Sequence, residues 1–170
     1  AVGRHGREAA MTRTLWIDWA EPVEYVRDLR RALAQARAGT PLPPDMRRLL
    51  TTLGDSYGVY MFLESRGVEP RREAHMAGWR RDEGLGAFPG ARNLIYVGIV
   101  KSSDQRSFLL RIREHERDWL HRYRRHDHLF VSFGICRYAA DEPDIDGLLE
   151  DAENELVYTQ KPYENTAKTR

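Results

Sequence analysis

Glu153 is the residue whose placement asks most insistently for chemistry. At about 100° per residue, Ile145, Leu148, Leu149, Ala152 and Leu156 form one apolar stripe with Val157 at its margin, and Glu153 projects between Leu149 and Val157, inside that sector. Glu150, Asp151 and Glu155 fall outside it. A carboxylate aimed at a core is costly unless it is paired or binds a cation, so Glu153 is half of a buried salt bridge, a rim residue, or a cation ligand. A second pair stands upstream. Arg111 and His115 are four residues apart and so share one side of a helix, at the edge of an apolar face made by Phe108, Ile112, Trp119 and Tyr123. Arginine is the better residue for forked contacts to phosphate; an interhelical ion pair with the imidazole packed at the rim is the plainer alternative. His115, His121, His126, His128 and Cys136 match no standard zinc-ligand spacing. No P-loop, GxGxxG, GxSxG or HExxH occurs, which weakens kinase, dehydrogenase, serine-hydrolase and zincin readings.

These side chains need elements to carry them. Pro22, Val26, Leu29, Leu33 and Ala36 with Gly39 after them predict an amphipathic helix, and Met46, Leu49, Leu50 and Leu53 a second, with TPLPP between. Tyr57–Leu63 and Leu94–Val100 are short runs of aromatic and β-branched residues, hence strands, and His128–Tyr138 is a third. Ser103 or Asp104 is placed to cap a long helix reaching about Arg124, and a last helix runs over roughly 145–160 up to Pro162. The expected fold is of the mixed α/β (α+β) kind: a small, mainly antiparallel three-stranded sheet flanked by helices, with an N-terminal helical extension. Residues 1–56 read as leader and extension, and 57–170 as one domain with an insertion at 66–92.

Bulk properties add limits rather than function. The chain has 170 residues, 41% of them hydrophobic, and 27 basic against 26 acidic side chains, so net charge alone does not signal a polyanion partner. Arginines cluster in 66–92 and 106–125, a pattern that phosphate binding and a GC-rich coding bias both produce. One cysteine, Cys136, allows no intrachain disulfide, and a cytoplasmic setting is the expectation. No apolar run of 18 residues predicts a membrane span, and AVGRHGREAA lacks the apolar core of a signal peptide.

Gly58-Val59-Tyr60 on the first predicted strand and Tyr96-Val97-Gly98 on the second resemble the paired tripeptides of the GIY-YIG nuclease superfamily. Arg111-Ile112-Arg113-Glu114-His115 is similar to that family's R-x-x-x-H helix, and Glu153 with Pro162 nine residues on and Asn165 twelve residues on is similar to its last helix. The resemblance covers about 57–166 and implies a divalent-metal-dependent endonuclease acting on nucleic acid, with DNA the expected substrate. It implies one Mg²⁺ or Mn²⁺ held by Glu153, a proton taken from water by Tyr96, and phosphate stabilised by Arg111. Tyr60 would orient water or phosphate, His115 would assist proton relay, and Asn165 would hold the site or the substrate. A homodimer is compatible with it. The alternative from another class is an inactive module of the same fold, kept for nucleic-acid binding or interaction.

Three departures stand out. The tripeptides are much farther apart than is usual, which resembles the restriction-endonuclease branch by loop length. The interval from the second tripeptide to arginine is stretched, leaving Arg106 as well as Arg111 eligible; the helix register and His115 favour Arg111. Many relatives carry lysine directly after the second tripeptide, whereas Ile99 stands here and Lys101 is the nearest substitute. Within 66–92, six arginines face four acidic residues, and Trp79 beside Arg80 and Arg81 could stack on substrate while the guanidinium groups hold phosphates.

Overall fold

Short runs of aromatic and β-branched residues place the strands of this chain on one antiparallel sheet, with helices between them. The computed structural model describes residues 14–64, 76–80, 94–103, 107–125, 128–136, 144–160 and 162–168. In chain order these form β1 (Thr14–Trp19), β2 (Val23–Glu24), α1 (a π-helical start, Tyr25–Arg30, continued as Arg31–Arg37), α2 (Pro44–Asp55), β3 (Gly58–Glu64), β4 (Met76–Arg80), β5 (Leu94–Val100), α3 (Phe108–Asp118), a 3₁₀ turn (Leu120–Tyr123), β6 (Leu129–Cys136), α4 (Ile145–Gln160) and α5 (Tyr163–Lys168). The strand order is β4-β1-β6-β3-β5, with short β2 also on β6 and every pairing antiparallel.

The sheet separates two cores. Tyr60, Phe62, Val131 and Phe133 face α1, α2 and α3, where they meet Leu29, Leu53, Phe108, Ile112 and Trp119. Val59, Met61 and Val97 face the other way, with Leu15 and Ile17 of β1, onto the α4 stripe of Ile145, Leu148, Leu149, Ala152 and Leu156. Because helices cover both faces, β3 reads as a continuous apolar run instead of an alternating one. Each buried aliphatic side chain of the α4 stripe contributes about 1.5–3 kcal/mol relative to exposure.

Several expectations need correction. Among the described residues the sheet has six strands, not three, and the N-terminal segment is not purely helical: β1 inserts beside β6. Its alternation of Leu15, Ile17 and Trp19, all buried, was a readable strand signal masked by Trp16 between them. The insertion contributes β4, paired with β1 from Thr14↔Arg80 to Asp18↔Met76; the rest of it lies outside the described residues. The helix expected from Ser103 or Asp104 to Arg124 is shorter. Ser107 caps it, accepting from the Leu110 amide at 3.2 Å, and the α-helical winding ends at Asp118. Finally, Pro162 is followed by another helix, α5.

Candidate functional site

The two tripeptides lie side by side. Gly58 pairs with Val100, Val59 with Ile99 and Tyr60 with Gly98. Both glycines are sterically required. Gly58 has φ +152°, and a Cβ there would lie 1.9 Å from the Gly134 carbonyl oxygen. A Cβ on Gly98 would lie 2.4 Å from both Cζ and Oη of Tyr60, whose ring crosses the space a side chain would fill. Tyr96, paired with Phe62 and two residues from Gly98, lies on the same face as Tyr60 by the regular register, and the bulge between Phe62 and Leu63 adds Ile95 to that face.

From α3, His115 and Arg111 reach this face. His115 is buried, with Nε2 2.5 Å from Tyr60 Oη and Nδ1 accepting from Trp119 Nε1 at 3.1 Å. Its ring stands edge-on to Tyr96 at 4.5 Å between centroids. Arg111 hydrogen-bonds Tyr60 and Tyr96 and forms an ion pair with Glu114 at 2.6 Å. Burial opposes its charge, but the two phenols and Glu114 outweigh that, so Arg111 stays cationic throughout.

α4 lies on the opposite face, yet its Glu153 comes round to the free edge of β5. There the carboxylate accepts a hydrogen bond from the Ile99 amide and acts electrostatically on Tyr96 and Arg111. Burial raises the Glu153 carboxyl above the ordinary glutamate range, with Arg111 and Lys101 pulling the other way. Asn165 of α5 takes the same edge two residues earlier. Its Oδ1 accepts from the Val97 amide at 2.8 Å and its Nδ2 donates to the Val97 carbonyl at 2.9 Å. The side-chain amide thus replaces a neighbouring strand. Buried Glu164 anchors α5, accepting from Arg122 Nη2 and Tyr123 Oη, each at 2.9 Å.

Tyr60 is wholly buried, and burial pushes its hydroxyl well above the usual tyrosine range, as does Tyr96, with Arg111 opposing. Tyr96 is raised too, by burial first. Arg111 and the Tyr60 bond pull it down, while the Glu153 charge pushes it up. Both phenols are buried, Tyr60 wholly and Tyr96 at 6% exposed, and the more exposed members of the group are Arg111, with 23% of its side chain exposed, and half-buried Glu153.

The structure therefore gathers Tyr60, Tyr96, Arg111, His115, Glu153 and Asn165 around one sheet edge. Lys101 follows β5 and is ion-paired with Glu150, one turn before Glu153 on α4. It does not gather Trp79 and Arg80. These lie on β4 at the far edge of the sheet, four strand spacings or about 19 Å from β5. Arg81 and Arg106 lie outside the described residues. His115 belongs to the α3 side of the sheet and Cys136 to the α4 core, so the two cannot share a zinc; burial and nearby Asp146 push the Cys136 thiol up to about 12. Among the described residues, no three His, Cys, Asp or Glu side chains form a metal cluster, and no helix is long and apolar enough to cross a membrane. No protein-family model, curated protein or solved structure matches the chain.

Sequence reasoning missed Trp119 and Gly98 as parts of the site. Trp119 was assigned to the apolar face alone, although its four-residue spacing from His115 already placed the indole over the imidazole.

Proposed function

We propose that this chain is a GIY-YIG-type nuclease domain that hydrolyses phosphodiester bonds in nucleic acid, with DNA the expected substrate. The observation that carries the reading is the convergence of Tyr96, Arg111 and Glu153, from three separate elements, on one open strand edge. A buried ion pair would need only two of them. Phosphodiester hydrolysis needs a base for water, positive charge for the equatorial oxygens, and help for the leaving oxygen.

Tyr96 Oη is the acceptor for the water proton. A phenol with an ordinary pKa near 10 is a poor base at neutral pH, so its surroundings decide whether it can act. Burial raises its proton affinity most and the Glu153 charge adds to that, while Arg111 and the Tyr60 hydroxyl work to lower it. Arg111 then meets the charge that develops on the pentacovalent phosphorus; Glu114 holds the guanidinium until substrate competes for it. Asn165 keeps Tyr96 in place by clamping the next residue of β5.

A hard oxygen ligand with waters and phosphate completing the shell suits Mg²⁺ or Mn²⁺. Glu153 fits that part, being a half-buried carboxylate with its ionised form opposed by burial. When bound, one such cation would supply Lewis acidity at the phosphoryl and leaving oxygens and cancel the carboxylate charge beside Tyr96.

The test is cleavage of duplex DNA, single strands and RNA with and without Mg²⁺, product ends mapped, alongside Tyr96→Phe. Metal-dependent cutting that Tyr96→Phe abolishes while keeping the fold is the expected result. Binding with no cutting under any condition would leave an inactive nucleic-acid module.

A further inference from the structure

The indole of Trp119 is the donor-only group in a buried set of otherwise two-way partners, and that asymmetry has consequences. An indole N–H can donate but not accept. Its nitrogen lies 3.1 Å from His115 Nδ1, so Nδ1 carries no hydrogen. The neutral imidazole must then carry its hydrogen on Nε2, which lies 2.5 Å from Tyr60 Oη. Tyr60 Oη accepts that hydrogen, and its own hydroxyl hydrogen points elsewhere. Tyr60 and Tyr96 share a side-chain hydrogen bond, so the remaining hydrogen goes to Tyr96 Oη, which also receives Arg111.

We propose that Trp119 is a positioning residue that fixes the His115 tautomer and thereby the direction of a chain, Trp119 to His115 to Tyr60 to Tyr96, in which every link donates toward Tyr96 Oη. With two donors already on that oxygen, the Tyr96 hydrogen points away from Tyr60 and Arg111. Its loss leaves a phenolate that the chain already supports. The opposite tautomer would set an imidazole N–H against the indole N–H in a buried site, where a donor left without an acceptor is expensive. The groups facing His115 agree with a neutral ring. Tyr60 comes from β3, Tyr96 from β5, Phe62 and Trp119 lie beside it, and Arg111, the cation in contact with both phenols, stands on its own helix. The catalytic meaning of this chain rests on the nuclease reading; its direction does not.

The test is nitrogen NMR of the full chain with ¹⁵N-labelled histidine, the His115 signals assigned by their loss in His115→Gln. The expected wild-type pattern is an unprotonated Nδ1 and a protonated Nε2. Trp119→Phe keeps an aromatic ring against Phe62 and Tyr96 but removes the donor, and should release His115 into a mixture of both tautomers. A wild-type ring protonated on Nδ1, or a Trp119→Phe spectrum identical to wild type, overturns the proposal. If Trp119→Phe does not fold, the wild-type spectrum decides alone. Where cleavage is measurable, Trp119→Phe should lower kcat on the order of 10- to 100-fold with KM little changed. It should add nothing in a Tyr60→Phe background, where the chain is already cut; equal losses in both backgrounds would indicate packing only. The expected tautomer in a chain that never cuts nucleic acid would retire the nuclease reading and leave the directed chain standing.

Discussion

Replacing Gly98 by alanine tests the site's architecture without presupposing its reaction. The new Cβ would meet Cζ and Oη of Tyr60 at 2.4 Å and Cε1 at 2.9 Å, against an ordinary contact of roughly 3.5–4.0 Å. Something must therefore move by about 1 Å. The ring cannot simply swing aside. It is wholly buried, its hydroxyl is 2.5 Å from His115 Nε2, and Phe62, Tyr96 and Phe108 stand within about 6 Å of it centroid to centroid. Overpacking of this kind costs about 1–3 kcal/mol, offset by about 0.4–1 kcal/mol because alanine restricts the unfolded chain. Contacts of 2.4 Å with two atoms of a confined ring put the cost in the upper half of that range, so the net loss is about 1–2.6 kcal/mol, a Tm lower by roughly 2–10 °C for a chain of this size. Activity should fall further than stability, since a 1 Å displacement of a positioning group costs about 10²-fold in rate. Thermal melts of Gly98→Ala and of Gly54→Ala give the contrast, because a Cβ on Gly54 meets nothing within 4 Å. A Gly98→Ala protein as stable as wild type would refute the packing of Tyr60 across this glycine, and with it a steric need for glycine at this position.

Glu153→Gln should abolish metal-dependent cleavage while leaving nucleic-acid binding nearly intact, with Glu155→Gln as an active control; normal turnover by Glu153→Gln in Mg²⁺ removes it as cation ligand. Arg111→Ala should cost on the order of 10²-fold or more in kcat, as expected for a transition-state charge partner, and single-turnover rates would show it. For Asn165, the sign of each bond matters: alanine leaves the Val97 amide and carbonyl without their partner and should cost about 1–3 kcal/mol, whereas aspartate keeps the acceptor but sets an oxygen against the Val97 carbonyl, so melts should place Asn165→Asp no higher than Asn165→Ala. Asp146, at the start of α4, accepts from the amides of Ser102 and Ser103 at 2.7 and 3.2 Å and from both hydroxyls; burial is the largest single influence and raises its carboxyl, but these bonds together prevail and lower it. A depressed folded value means that its stabilisation is complete above the unfolded value of about 3.9 and is lost as pH falls through the folded one. Wild type should thus melt above Asp146→Asn at pH 7, with the gap closing below about pH 4; a gap that persists at pH 2 would mean that the charge is not what Asp146 contributes.

The sequence alone carried the parts of this protein that depend on local periodicity. The span of β5 and the 145–160 helix follow from composition and spacing, and so does the inward stripe of that helix, because a side chain's direction on a regular element is set by the element's period. Glu153 stood out for the same reason, as a charge in an apolar sector. The six strands did not follow. β1 and β4 are short, and their place depends on pairing between residues 58 to 66 apart in the chain, from Asp18↔Met76 to Thr14↔Arg80; nothing local selects a partner at that range. The consequence for Trp79 and Arg80 was decided entirely by this pairing. A loop that begins and ends beside the tyrosines nevertheless carries its middle to the opposite sheet edge.

Tertiary structure also decided what each site residue can do. Tyr60 and Tyr96 are equivalent phenols in sequence and both are buried under α3; only the strand order sets Tyr60 on an inner strand and Tyr96 on the edge strand beside Glu153. Asn165 was legible as a site residue, but its role as a substitute strand required the free amide and carbonyl of Val97 to face it. Trp119 was legible as apolar and, by its four-residue spacing, as a neighbour of His115; that Nδ1 is the nitrogen it meets was decided by Tyr60 of β3 taking Nε2. Periodicity fixes which way a side chain points along its own element, while the partner it meets is set by packing between elements distant in the chain, where each buried polar group must find its complement.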